Sequence, residues 1–370
     1  MFASRNFLFA KAAAGGGAGG KLFSWGRNNF GQLGLGDATN RSSPVQVSTG
    51  WETPSSGAGS SLCTKTDGTL WAWGRNQYGQ LGQNNTTVRS SPVQVGALTN
   101  WLTPSGGAGF STCIKTDGTL WSWGRNDNYG QLGLGNTINY SSPKQIGAST
   151  NWNKVSAGYK CVLATESNGK LFAWGGNSNG QLGLNDATDR SSPVQVGALT
   201  TWSKPSTASE GGNFSLCTKT DGTLWAWGQN IYGQLGQGNL TVQSSPVQIG
   251  SLTNWSTPSA GKTQSLCVKT DGTLWAWGGN DYGELGLGDT TKRSSPVQVG
   301  ALTNWATPSA GRNFSTCLKT DNTLWAWGRN QYGQLGQGNT TITSSPVQVG
   351  ALTTWLKLSS GNSFSLCTQT

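Results

Sequence analysis

The stretch Thr69-Leu-Trp-Ala-Trp-Gly-Arg-Asn-Gln-Tyr-Gly-Gln-Leu-Gly82 decides the fold, because near-copies of it recur along the whole chain. Its Trp-Gly pair returns at Trp25, Trp73, Trp123, Trp174, Trp227, Trp277 and Trp327, at intervals of 48 to 53 residues. Gly-Gln-Leu-Gly follows each time, from Gly31, Gly79, Gly130, Gly180, Gly233 and Gly333, and as Gly-Glu-Leu-Gly from Gly283. A Ser-Ser-Pro comes next, at Pro44, Pro92, Pro143, Pro193, Pro246, Pro296 and Pro346. A second Trp closes each unit, at Trp51, Trp101, Trp152, Trp202, Trp255, Trp305 and Trp355, and all 19 Trp lie on this lattice. A fixed period near fifty residues is the mark of a repeat architecture.

Within one unit the signals are β. Thr69–Trp73 and Pro92–Gly96 read as short strands of aromatic and alternating pattern. Ser61–Thr66 is joined to the first of these by Asp67-Gly68, which predicts a two-residue hairpin with positive φ at both positions. The pair recurs at Asp117, Asp221 and Asp271, as Asn168-Gly169, and as Asp321-Asn322. A fourth strand runs through the second Trp. Four short antiparallel strands per fifty residues match one propeller blade, and the seven units predict an all-β, seven-bladed β-propeller. Each blade would bury both faces, so Trp71, Trp73, Leu70 and Ala72 are all expected in the core.

The ends complete the pattern. The chain stops at Cys367-Thr-Gln-Thr370, halfway through a unit, and the missing half stands at Gly19-Gly-Lys-Leu-Phe-Ser-Trp-Gly26. Pairing of an N-terminal with a C-terminal strand would close the ring and remove exposed sheet edges. Residues 19–370 form the expected propeller, and residues 1–18 an apolar, Gly-rich arm. Its Phe2, Phe7, Leu8 and Phe9 are candidate docking residues; its apolar run is too short for a signal peptide.

Composition sets limits on chemistry. Gly supplies 56 of 370 residues and charged residues only 11%, which excludes coiled coils and helical bundles. With no His, no imidazole triad or imidazole metal site is available. Six Cys occupy one blade position and Ala164 takes the seventh, which marks a small buried site rather than a ligand. The turn after Gly-Gln-Leu-Gly carries Asp37, Asn85, Asn136, Asp186, Asn239, Asp289 or Asn339, which reads as an Asx turn rather than a calcium loop. No acidic pair has the spacing of an acid/base couple, so no enzyme activity, cofactor or metal is expected.

The units resemble the regulator of chromosome condensation repeats, whose signature of Trp-Gly, Asn-x-x-Gly-Gln-Leu-Gly, Pro and Asp-Gly is met by Trp73–Gly82 and its copies. The resemblance covers residues 19–370 and implies a seven-bladed propeller. Where such repeats often carry His before the hairpin, this chain has Ser60, Phe110, Cys161, Phe214, Gln264, Phe314 and Phe364. The exchange-factor and chromatin roles of the eukaryotic members are therefore not carried over to any residue here. The near-identity of the repeats is similar to that of bacterial and bacteriophage members.

Function is expected on the loops. Arg27, Arg75, Arg125 and Arg329 follow Trp-Gly, and Phe30, Tyr78, Tyr129, Tyr232, Tyr282 and Tyr332 share that loop. With Glu210, in the three-residue insertion around Ser206–Gly212, these are the candidate interface residues. Arg41, Arg89, Arg190 and Arg293 form a second basic set before Ser-Ser-Pro. The main expectation is a non-enzymatic propeller exposed on a virion or cell surface, binding a protein, assembly subunit or glycan. The alternative is a soluble regulatory propeller acting on a partner enzyme as exchange factor or inhibitor. A net charge of +10 spread without a run does not favour nucleic acid, and no apolar run reaches membrane-spanning length.

Overall fold

The computed structural model describes residues 19–209 and 211–370, and the arm carrying Phe2, Phe7, Leu8 and Phe9 lies outside them. The described residues form 27 strands in seven antiparallel blades. In a representative blade, Trp101–Gly106, Phe110–Lys115, Leu120–Gly124 and Tyr140–Gln145 pair in sequence order. The strand that begins with the second Trp is innermost: all seven of these strands reach a narrow central channel of about 160 Å³ lined by Ser, Thr, Gly, Ala and Asn.

The ring closes as the termini predict. Gly20–Gly26 pairs antiparallel with Phe364–Gln369, from Lys21 opposite Gln369 to Gly26 opposite Phe364. The first repeat is two residues shorter between Pro44 and Trp51. There the outer strand of the closing blade runs on unbroken into the inner strand of the next, as Arg41–Ser56. Elsewhere a Gly at φ 57–64° (Gly96, Gly147, Gly197, Gly250, Gly300, Gly350) turns the chain at this point.

Two rings of hydrogen bonds join the blades. The indole N–H of Trp73 donates to the Gln32 carbonyl of the preceding repeat at 2.9 Å. Trp123, Trp174, Trp227, Trp277 and Trp327 do the same to Gln80, Gln131, Gln181, Gln234 and Glu284, and Trp25 closes the circle on Gln334. The last Gly of Gly-Gln-Leu-Gly makes this approach possible, since a Cβ on Gly34 would stand 2.7 Å from the Trp73 Nε1. Nearer the axis, a Ser side chain of each inner strand accepts from a backbone N–H of the next. Ser55, Ser105, Ser156, Ser206, Ser259, Ser309 and Ser359 accept from Gly106, Ala157, Thr207, Ala260, Ala310, Ser360 and Ser56, at 2.9–3.0 Å. The sequence reading missed this second ring, although a Ser four residues after the second Trp in every repeat was its signal.

Two local expectations need correction. At Lys65–Thr69 only Gly68 has positive φ (78°), Gly68 N–H donates to the Lys65 carbonyl and Lys65 N–H to the Thr69 carbonyl. The loop is thus a three-residue hairpin ending in a left-handed residue. Asp67 serves as a cap instead: its Oδ1 accepts from the N–H and hydroxyl of Thr69 at 2.9 and 2.6 Å. The second correction concerns Trp71. Trp73, Leu70 and Ala72 are fully buried, but Trp71 is only partly buried against the core, as are Trp121, Trp225, Trp275 and Trp325. Each donates its indole N–H to the Thr of the hairpin, as Trp71 does to Thr69 at 2.8 Å. The cysteines line the blade interfaces unpaired, and burial pushes the Cys161, Cys217 and Cys267 thiols up to about 12.

Removing residues 362–370 leaves Gly20–Gly26 with an unpaired edge. The truncated protein is expected to lose its cooperative thermal transition and aggregate on size-exclusion chromatography. A circular permutant joining Thr370 to Gly20 through a short Gly-Ser linker, opened between the exposed Ala198 and Leu199, is expected to keep a cooperative transition. A folded truncation or an unfolded permutant would each contradict this closure.

Candidate interaction face

In each blade, antiparallel alternation puts the loop after the inner strand and the long Trp-Gly loop at the same end. The Arg75 N–H donates to the Gly59 carbonyl at 2.8 Å, tying the two loops together. The Asn and Gln of the signature build this face rather than serve a ligand. Asn76 is fully buried, its Oδ1 accepts from Leu81 N–H at 2.9 Å, and its Nδ2 donates to the carbonyls of Asn85 and Thr87 at 3.1 and 2.9 Å. The Gln80 side chain accepts from Tyr78 N–H at 3.0 Å. The Asx turn follows, with Asn85 Oδ1 accepting from Thr87 N–H and Asp37 Oδ1 from Thr39 N–H.

On this scaffold the structure brings the predicted arginines and aromatics together, across blade boundaries. Arg75 lies over the Phe30 ring (5.2 Å), Arg125 over Tyr78, Arg329 over Tyr282 and Arg27 over Tyr332 (5.0 Å each). Each such pair contributes about 0.5–1 kcal/mol where it is exposed. Asp127 also pairs with Arg125 at 2.6 Å, so the Arg125 guanidinium is raised and the Asp127 carboxyl lowered from their ordinary values. Where Gly176 replaces the Arg, Lys160 from the neighbouring loop covers Tyr129 at 4.2 Å and donates to its hydroxyl at 2.8 Å. Where Gly279 replaces it, Lys292 lies 4.8 Å over Tyr232. Glu210 lies outside the described residues.

Sequence reasoning missed Lys160, Lys262 and Arg312, which add cations to the same end of the ring from the loops after the inner strands. Their signal was a basic residue in a loop that is Gly- or Ala-rich in other repeats. Burial, then the charges of Arg312 and Arg329, push the Lys262 ammonium down. The second basic set lies at the outer edge of the same end, opposite the Gly of Trp-Gly, and there Arg41, Arg190 and Arg293 are paired with Asp37, Asp186 and Asp289 at 2.5–2.6 Å. At the opposite end, Lys115, Lys219, Lys269 and Lys319 are wedged between two Trp rings, as Lys115 is at 4.6 and 3.8 Å from Trp101 and Trp121. Among the described residues no three His, Cys, Asp or Glu side chains group as metal ligands, and no helix is long and apolar enough to cross a membrane.

Comparison with known proteins returns one family. The RCC1-like domain matches residues 105–367, and the regulator of chromosome condensation (RCC1) repeat matches residues 19–63 and 67–114. The X-linked retinitis pigmentosa GTPase regulator of Canis lupus familiaris is 31% identical over 125 residues, 33% of this chain and 12% of that protein. The ultraviolet-B receptor UVR8 of Arabidopsis thaliana is 34% identical over 124 residues, 33% of this chain and 28% of the receptor. The chain thus spans well under two thirds of the length of either relative. Among solved structures, human WBSCR16 is 22% identical with a TM-score of 0.83, covering 95% of this chain and 98% of its own. Prp20p of Saccharomyces cerevisiae, described with its binding to Gsp1p and histones, is 19% identical with a TM-score of 0.81, covering 95% and 92%.

One residue on this face predicts a pH dependence. Glu284 stands where other repeats have Gln, fully buried, with Oε2 accepting from Tyr282 N–H at 2.7 Å and Oε1 from Asn313 Nδ2 at 3.2 Å. Burial raises its carboxyl above the ordinary 4.5. A carboxyl raised on folding favours the protonated native state, so its contribution is full below 4.5 and is lost as the pH rises through the higher folded value. The melting temperature of Glu284→Gln is therefore expected to gain on the wild type as pH rises from 4 toward 8. Melting curves whose difference stays constant over that range would refute it.

Proposed function

The chain belongs to the regulator of chromosome condensation (RCC1) repeat family, and on that premise we propose that it is a non-catalytic propeller that holds an acidic partner protein against its loop face. The observation that carries this reading is the run of Arg and Lys stacked on aromatic rings across blade boundaries, joined by Lys262 and Arg312. Stacking fixes long cationic side chains in place before a partner arrives, so less rotamer entropy is lost on binding. Gln77, Asp127 and Gln331 already hold the Nε–Nη2 edges of Arg75, Arg125 and Arg329, so a partner carboxylate would be met by the outer Nη1–Nη2 edge.

A regulatory role, with the partner an enzyme, is the better-supported form of this reading. It draws on the printed descriptions of the relatives: a GTPase regulator, a receptor, and a yeast protein described by its binding to other proteins. Histones, named for the yeast protein, are basic and do not suit a cationic face. The virion or cell-surface form and the bacteriophage-like assignment draw no support from relatives of dog, plant, human and yeast origin. Glu210 and the residue 1–18 arm stay within the proposal as candidate contacts.

The test compares wild type with the variant Arg75→Glu/Arg125→Glu/Arg329→Glu in affinity purification, followed by titration with the purified partner. Three reversals at such charged contacts are expected to weaken binding by about 100-fold or more, with the cooperative melting transition retained. A partner held equally by both proteins would place the interface elsewhere. Salt-steep binding of random-sequence DNA by wild type, stronger than that of any protein, would replace the reading with nucleic-acid binding.

A further inference from the structure

Four equivalent clefts open between successive blades, each running from the turn after Gly-Gln-Leu-Gly to the Trp of the next inner strand. They are built around Trp101 and Trp121 (560 Å³), Trp202 and Trp225 (500 Å³), Trp255 and Trp275 (490 Å³), and Trp305 and Trp325 (520 Å³). These volumes fall in the range of small-molecule sites, about 300–1,000 Å³. Each cleft has a half-exposed Leu at its edge (Leu98, Leu199, Leu252, Leu302) and the Pro of the next repeat's Ser-Ser-Pro as a wall.

The inner Trp of each cleft is incompletely satisfied. Trp101, Trp202, Trp255 and Trp305 are 2–4% exposed, and their indole nitrogens have no hydrogen-bond partner. A buried donor left unpaired is costly, and native structures rarely keep one without reason. The first repeat supplies an internal contrast. There Trp51 Nε1 donates to the Ser48 hydroxyl at 2.9 Å, and Ser48 stands at the position held by Gly96, Gly197, Gly250 and Gly300 in the four clefts. A Cβ at any of those glycines would meet nothing within 4 Å, although their φ of 58–62° makes any side chain there strained. The chain thus fills one such position with a hydroxyl and leaves the equivalent space open in the six others, Gly147 and Gly350 included, where the indole nitrogens of Trp152 and Trp355 are likewise without a partner.

We propose that the four clefts are carbohydrate subsites, each taking one pyranose unit of a glycan. One sugar hydroxyl accepts from the buried indole N–H, as the Ser48 hydroxyl does for Trp51, and the C–H face of the ring lies against the Trp, Leu and Pro lining. A pyranose suits this lining because it carries hydroxyls at the edge of an apolar face. The Trp101 cleft is the strongest. Arg89 also lines it, Asn85 has replaced the Asp that pairs the equivalent Arg190 and Arg293, and Arg89 Nε is a second donor without a partner. Four like sites on one rigid ring favour a ligand displayed in many copies over a free sugar. The proposal stands apart from the partner-protein reading, since the Arg-reversal variant leaves these clefts intact.

The test is a glycan array probed with the full chain, followed by saturation-transfer NMR with methyl glycosides of the sugars retained. Binding is expected to be about 100-fold tighter to clustered than to free glycoside. The variant Gly96→Ser/Gly197→Ser/Gly250→Ser/Gly300→Ser, which offers each cleft its own hydroxyl, is expected to lose at least ten-fold in affinity. Should that variant not fold, Leu98→Asp/Leu199→Asp/Leu252→Asp/Leu302→Asp changes only half-exposed side chains and is expected to show the same loss. An array on which no glycan is retained overturns the proposal. So does unchanged binding by a folded cleft variant, or occupation of the clefts by a Leu- and Pro-rich peptide that no glycoside displaces.

Discussion

The propeller hangs on one contact, the indole N–H of each Trp-Gly tryptophan donating to the Gln or Glu main-chain carbonyl of the preceding repeat. It links neighbouring blades at seven equivalent places, from a side chain that is fully buried and worth about 4–6 kcal/mol gross by its burial alone. The partner carbonyl sits in a tight turn, which requires Gly on both sides: Gly31 and Gly34 have φ of 74° and 73°. The Asn of the signature then fastens the rest of the long loop to that turn. A single donor therefore explains why Trp, Asn and the two Gly travel together. Their spacing is a statement about blade-to-blade distance as much as about local structure.

How much of this could be read from the sequence follows from which interactions leave a periodic trace. The Trp lattice and the broken unit at the two ends each had one structural meaning, and the pairing of Lys21 with Gln369 carries it out. The shortened first repeat reads in sequence as a loop of different length, whereas the structure runs it as the unbroken strand Arg41–Ser56. The hairpin was misread because Asp-Gly is compatible with two loop lengths, and only the Thr69 contacts to Asp67 select the longer one. Trp71 was placed wholly in the core because strand alternation assigns a face but not its distance from the rim. The Ser ring went unread since a lone small polar residue in a strand resembles filler until its neighbour's backbone is in view. The Arg–aromatic pairs were legible as residue types, but not as contacts between blades.

Charge is arranged differently on the two ends of the ring. At the hairpin end each Lys is two residues from an Asp, as Lys115 from Asp117, and its stem is wedged between two indoles. Desolvation there lowers the Lys115 ammonium, while Thr119 holds the Asp117 carboxyl below its usual range. These pairs cancel. At the loop end Arg27, Arg75, Arg329, Lys160 and Arg312 have aromatic or amide neighbours in place of acids, whereas Arg41, Arg125, Arg190 and Arg293 pair with Asp. Among the described residues Arg27, Arg75, Arg329, Lys160 and Arg312 have no ion-pair partner, which leaves the loop end with unbalanced positive charge.

That face is not seven-fold either. Its Arg–aromatic run is interrupted in one sector, where Gly176, Gln229 and Gly279 replace Arg and Asn179 replaces the aromatic residue. The three-residue insertion falls in the same sector, and Gly211 within it lies against the Lys262 side chain, so that a Cβ there would be 3.1 Å from Cε. Glu284, the one acid substituted into the Gln ring, borders it too. Near-identical repeats make a rigid, closed scaffold whose blades are interchangeable for stability. An interchangeable scaffold cannot by itself orient an asymmetric partner, so the departures from the repeat must do so. Their clustering in one sector gives this disc an orientation that its fold alone does not have.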